Sequence, residues 1–500
     1  MRKRNKKRAA LLLSAALLLS AALLSTSLTG GLNWDMSKVE AAEKGIFYVA
    51  ANGSDTSGDG SLGKPFATFE KARDAARKSS ESNPVVYVRE GTYFFEAPLE
   101  LTAEDSGVTF ANYPGEEVEI SGAMTLGDLS WSDYSGNSSI KVAQLEAGLG
   151  IDKLFLNRDE QVLARYPNAV PGKLPLEGAA TRAEVKSRVD SYADPAGGHI
   201  RALHELGWGG NDYIITGKDA SNVLGLKYEW IGDNNRGSGM GDSVVVENVF
   251  EELDTPGEWF YDNDDGKLYV WPEAGMDLGK AVVEASVTTD LITVKGRDNE
   301  HPVTDITLDG FTYFGTKRTM FTVHEEGKQY IPLLRGDWCI VRAGAVYIEN
   351  GKNIQVDNSE FLDMGGNAIF MYGYNDQNKV TNSEFVNMGS TAVQIIGNSN
   401  AAREASFWEH SLYPDLQVHK TWVDNPELIG PATEDYPRDI EISNNHMENI
   451  GIFEKQSCGV NLSVSSRIKI LHNTIHRSAR SCINVNDGTF GGHEIAYNDV

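Results

Sequence analysis

Two acids beside a recurring row of amides are the residues of this chain whose types and spacing suggest chemistry. Asp487 follows the outward pair Asn484 and Asn486 and precedes Gly488, an Asp-Gly turn able to aim a carboxylate off the end of a strand. Glu454 and Lys455 stand just before the strand-like run that contains Asn461. Gln394, Asn461, Asn484 and Asn486 recur at outward positions and suit sugar hydroxyls, while His493 and Glu494 flank the same stretch. Trp408 and Trp422 offer aromatic faces of the kind that stack on sugar rings. Hydrolysis of a glycosidic bond needs two carboxyl groups facing it, about 5–5.5 Å apart for retention and about 6.5–9.5 Å for inversion. Strands stacked in a sheet are about 4.8 Å apart, so acids one or two coils apart meet either requirement. Asp487 is the first catalytic candidate and Glu454 the second. An Asp before Gly equally serves turn formation alone, and His493 falls in an inward column that suits packing.

The elements that must position these residues are coils. Rows starting at Ala345, Ala368, Ala392, Gly459 and Cys482 align so that Val346, Ile369, Val393, Val460 and Ile483 form one apolar column, and Ile348, Met371, Ile395, Leu462 and Val485 another. The column between them holds Tyr347, Phe370, Gln394, Asn461 and Asn484. Period two within a row is strand alternation, and a repeat of about two dozen residues between rows is stacking of coils. A second ladder, Val356, Val380, Ile442, Ile470 and Ile495, precedes Asn-rich corners in which left-handed backbone is tolerated and amides can stack. No single coil can bury its own apolar face, so both ladders predict an all-β chain built as a parallel β-helix, a solenoid.

The pattern divides the chain. Residues 1–41 read as a signal peptide, with Arg2, Lys3, Arg4, Lys6, Lys7 and Arg8 ahead of an Ala/Leu/Ser run and a cleavage site at Val39-Glu-Ala41; an uncleaved anchor is the other reading of that apolar run. Residues 45–122 read as an N-terminal cap and first coils, with a capping helix from Pro65 to Lys78 placing Phe66, Phe69, Ala72, Ala75 and Ala76 on one face. Residues 123–285 lose the coil period and read as an inserted β-rich subdomain. Residues 286–500 are coils again, interrupted by an insertion loop at 398–437 that carries the two tryptophans. The last residues open a further coil, which predicts a natural product longer than this sequence.

The 500 residues carry a formal charge of −26, and loss of the leader, with seven basic and two acidic residues, leaves −31. Nucleic acid is an unsuitable partner for so acidic a chain. The membrane is a partner only in passing, through the leader, and a secreted or cell-surface monomer is expected. Three cysteines are too few for a disulfide framework, and Cys458 and Cys482, about one coil apart, read as stacked thiols. His446, His472 and His476 fall at turn positions without a metal-ligand spacing, so no metal site is expected.

A resemblance narrows the function. Phe47-Tyr-Val-Ala-Ala-Asn-Gly-Ser-Asp55, Lys64-Pro-Phe-Ala-Thr-Phe-Glu-Lys-Ala72, Glu90-Gly-Thr-Tyr93 and Tyr113-Pro-Gly115 with Ile120-Ser-Gly122 resemble the opening of secreted right-handed β-helix proteins of the pectate-lyase-like superfamily. Leu156-Asn157, Ala164-Arg-Tyr-Pro-Asn168 and the run from Ile483 to Asp499 are similar to proteins of glycoside hydrolase family 141. The resemblance implies a right-handed helix and an extracellular bacterial carbohydrate-active enzyme, with a polysaccharide or oligosaccharide as partner and no redox cofactor. Asp487 is carried over as a matched motif position. A pectate-lyase-like polysaccharide lyase is the alternative, with Lys455 or a nearby Arg as base and calcium as its cofactor. A non-catalytic glycan-binding adhesin is the third reading.

Overall fold

The computed structural model describes residues 44–170, 173, 176–207, 209–230, 239–321, 338–402, 430–486 and 489–500. The leader, Trp408, Trp422, Asp487 and most of the 398–437 loop lie outside the described residues. The chain from Ala42 to Val500 forms one compact unit.

Three parallel sheets run along its length, each coil contributing one strand to each. The first contains nine strands, among them Ile46–Val49, Gln355–Asp357, Lys379–Thr381 and Lys469–Leu471. The second includes Glu360–Met364, Glu384–Met388, His446–Ile450 and Thr474–Ser478. The third includes Val346–Lys352, Ile369–Asp376, Val393–Ile396, Cys458–Ser463 and Ser481–Val485. The predicted columns are the observed register: Val346, Ile369, Val393, Val460 and Ile483 pair in succession, as do Val356, Val380, Ile442, Ile470 and Ile495. All but the last members of these columns are buried, each stabilising the stack by about 1.5–3 kcal/mol. Aromatic rings stack inside the second sheet, with Phe361 and Phe385 4.8 Å apart and nearly parallel.

The corners explain the Asn-rich ladder. Asn358, Asn382 and Asn444 take φ of 48°, 52° and 57°, and His472 and Tyr497 occupy the same left-handed position in later coils. One residue further along, Asn445 donates to Asn473 and Asn473 to Asn498, each at 3.0 Å, an amide ladder parallel to the axis. The N-terminal helix spans Phe69–Ala76, shorter than expected. Thr68 caps it, because Phe66 is drawn into a bridge with Val49 and leaves the helical path.

Between Ala123 and Ser286 the chain builds sheets with mainly antiparallel pairing. One orders Arg165–Tyr166, Met240–Glu247, His199–His204, Gly210–Lys218 and Leu226–Trp230. It has its own core around Val185, Ile200, Leu226 and Val246. Among the described residues no helix is long and apolar enough to cross a membrane.

Candidate active site

The antiparallel sheet meets the coils at Gly451–Ser457, the corner joining the second sheet to the third. The two approach closely here: a Cβ on Gly209 would lie 2.6 Å from the Gln456 side chain, which would have to give way. Arg201, 1% exposed, makes the junction. Its Nη2 donates to the carbonyls of Phe453 at 2.6 Å and Ile452 at 3.3 Å. Its Nε lies 3.7 Å from Asp212 on the adjacent strand and its Nη1 3.6 Å from Glu247. Arg318 closes the other side, donating to Glu247 at 2.6 Å and lying 3.8 Å from Asp152.

These charges are dry, and their neighbours decide which ionise. Burial alone would raise Glu247, but Arg318, Arg201 and His199 outweigh it and hold the carboxyl well below the usual range. Asp212 has the opposite fate. Burial, reinforced by the charges of Glu454 and Glu247, exceeds the help from Arg201 and pushes it up to about 7. Lys455 is brought down to about 7 by burial and by the charge of Arg201. Two carboxyl groups that sense each other, a proton-holding Asp212 and Glu454, thus share a corner with a lysine that is readily neutral.

Beyond Arg201 and Phe453 opens a cavity of about 580 Å³ between the antiparallel sheet and the outer face of the second coil sheet. Asp152, Glu160, Glu247 and Asp363 line it together with Arg158, Arg165, Arg201 and Arg318. Its floor is a ladder in which Asn387 donates to Asp363 at 2.7 Å, Asn449 to Asn387 at 2.9 Å and Arg477 to Asn449 at 2.6 Å. Burial raises both Asp152 and Glu160.

The residues singled out from sequence fall in three places. Glu454, 2% exposed, and Lys455 lie at the corner just described. Gln394 and Asn461 face out from the coil, yet both are fully buried, and the segment from Trp338 to Ala343 meets Gln394 at Cys339. Their amides are spent inside the chain: Gln394 donates to the Cys339 carbonyl at 2.7 Å, Asn461 to Gln394 at 2.6 Å, and Asn484 to Asn461 at 2.6 Å. Gln456 accepts from the Cys339 amide, so this amide row adjoins the Glu454 corner. Asn484 and Asn486 are half-buried, and Asn486 has a buried Nδ2 without a partner. The His493 Nδ1 accepts from the Ile468 amide at 3.2 Å, a packing contact between coils. Sequence reasoning missed Arg201, Asp212, Glu247 and Arg318. The available signal was charge inside apolar strands, as in Ile200-Arg-Ala202 and Val244-Val-Val-Glu247.

Among the described residues, His446, Glu448 and His476 form a group with ligand atoms within 4.8 Å of one another. All three cysteines are free.

The coils agree with known proteins. The right handed beta helix region family matches residues 344–500. The chain is a right-handed parallel β-helix protein. A solved structure titled "Glycoside hydrolase" is similar over 89% of this β-helix chain and 80% of its own, with 17% identity and a TM-score of 0.68. The xylose complex of XylC is similar over 86% of this chain and 58% of its own, at 15% identity and a TM-score of 0.44. A lacto-N-biosidase from Eubacterium ramulus is similar over 91% and 59%, at 9% identity and a TM-score of 0.31. No curated protein matches the sequence.

Proposed function

We propose that this β-helix protein is a secreted glycoside hydrolase acting on plant cell-wall or related complex glycans, with Asp212 as proton donor and Glu454 as its partner carboxyl group. The observation that carries the reading is a carboxyl that keeps its proton near neutrality: Asp212 is held up to about 7 by burial, with the charge of Glu454 adding to the rise. A glycosidase needs one carboxyl that keeps its proton near neutrality and one that does not, and environments that push two acids apart assign those roles. The solved glycoside hydrolase is similar in fold alone, so the weight rests on this pair. Asp487, outside the described residues, is a further candidate carboxylate for the reaction.

In this mechanism Asp212 protonates the glycosidic oxygen as the bond to the anomeric carbon breaks. Glu454 either attacks that carbon or activates the water that does. No redox cofactor takes part.

A polysaccharide lyase is the second reading, and Lys455 favours it. A lysine brought down to about 7 can remove the proton α to a uronate carboxyl, while Arg201 stands close enough to lower it. The test is to incubate the full chain with xylan, pectin and fucosylated glycans, following reducing ends and near-ultraviolet absorbance together. Reducing ends without absorbance, lost in Asp212→Asn and Glu454→Gln, support the hydrolase. Absorbance that depends on Lys455 establishes the lyase, and binding without turnover establishes a glycan-binding protein.

A further inference from the structure

His446 and Glu448 stand on one strand, Glu360's column continuing through Glu384 to His446, and His476 stands on the strand of the next coil. Glu448 is directly opposite His476 in the register, and His446 is the diagonal neighbour on the same outward face. The two imidazoles point at each other, Nε2 to Nε2, at 3.1 Å. Behind His446, its Nδ1 lies 3.5 Å from the Glu384 carboxylate. That placement favours the tautomer with the proton on Nδ1 and leaves the Nε2 lone pair directed at His476, the arrangement by which an outer carboxylate orients a metal-binding histidine.

We propose that His446, Glu448 and His476 form a zinc site that clasps these two coils together. The geometry discriminates among ligands. Two nitrogens bound to one tetrahedral zinc at about 2.0–2.1 Å are separated by about 3.3 Å, close to the observed 3.1 Å. Two imidazoles and one carboxylate are a borderline-soft set that suits zinc and excludes calcium or magnesium, which take oxygen ligands. Three side chains leave a fourth position for water. The sequence spacing concealed the group, because its members are 30 residues apart and meet only through coil stacking. The strand His446–Ile450 runs directly into the corner that bears Glu454, so the clasp holds the coil from which that corner departs. The simpler occupant of the same geometry is a proton, with His476 donating to His446 and Glu448 taking no part.

The experiment is calorimetric titration of the untagged full chain, freed of metal with a chelator, using zinc chloride alone. The expected result is one zinc per chain, with affinity reduced at least tenfold in Glu448→Gln and lost in His476→Gln. Saturating zinc also raises the thermal midpoint of the native chain by about 1–2 °C and not that of His476→Gln. Should His476→Gln fail to fold, Glu448→Gln, which preserves size, carries the test. Absence of zinc binding to the native chain, or binding unaffected by these substitutions, overturns the site in favour of the shared proton.

Discussion

Arg201 donates a 2.6 Å hydrogen bond to the carbonyl of Phe453, 252 residues away in sequence. This bond ties the antiparallel sheet to the coil corner carrying Glu454, and the same guanidinium faces Asp212 and Glu247. Removing it leaves two buried acids short of their counter-charge. Arg201→Met is expected to cost about 3–5 kcal/mol, as one-sided removal of a buried ion pair does. The shift in denaturation midpoint measures it.

Asp212 makes stability depend on pH in a stated direction. Its folded pKa of about 7 lies above the ordinary 3.8, so between about pH 4 and 7 the native state holds a proton that the unfolded state has released. Stability from this group is therefore greatest at the acidic end and falls as pH rises toward 7. Asp212→Asn mimics the protonated acid and is expected to flatten that fall. Denaturation at a series of pH values compares the two slopes.

The buried amide row predicts a penalty for a small change. Asn461→Ala strands the Gln394 oxygen and the Asn484 amide that Asn461 now joins. Each buried polar atom left without a partner costs about 1–3 kcal/mol. Thermal unfolding is expected to show a clear loss of stability.

Gly389 supports the corner from the coil below, its carbonyl accepting from the amides of both Phe453 and Glu454. A Cβ there would stand 2.1 Å from the Gly365 carbonyl oxygen, a backbone atom that cannot swing away. Gly389→Ala is expected to destabilise the chain and displace Glu454, while Gly63→Ala, with nothing within 4 Å, stays within about 0.5 kcal/mol of the parent. Unfolding of both variants under the same conditions checks the contrast.

The coils were legible because stacking repeats the same demand in every row. Val346, Ile369 and Val393 must be apolar for one reason, and that reason is written into the sequence at a fixed interval. The Asn358, Asn382 and Asn444 corners were legible in the same way. Glu454 stood out as an acid beside a predicted strand. Asp212 did not, because antiparallel strands pair without a period, and its nearness to Glu454 depends on how Arg201 docks the sheet onto Phe453. The burial of Gln394 and Asn461 was hidden too: an outward polar position looks the same whether water or another segment lies over it.

The most direct test of Asp212 as proton donor uses two leaving groups. On the polysaccharide, Asp212→Asn is expected to lower the release of reducing ends by about 10²–10⁴-fold. On an aryl glycoside of the same sugar, whose leaving group departs without protonation, the variant should keep most of its turnover while Glu454→Gln loses both. Polysaccharide cleavage by Asp212→Asn at the parent rate would contradict the assignment.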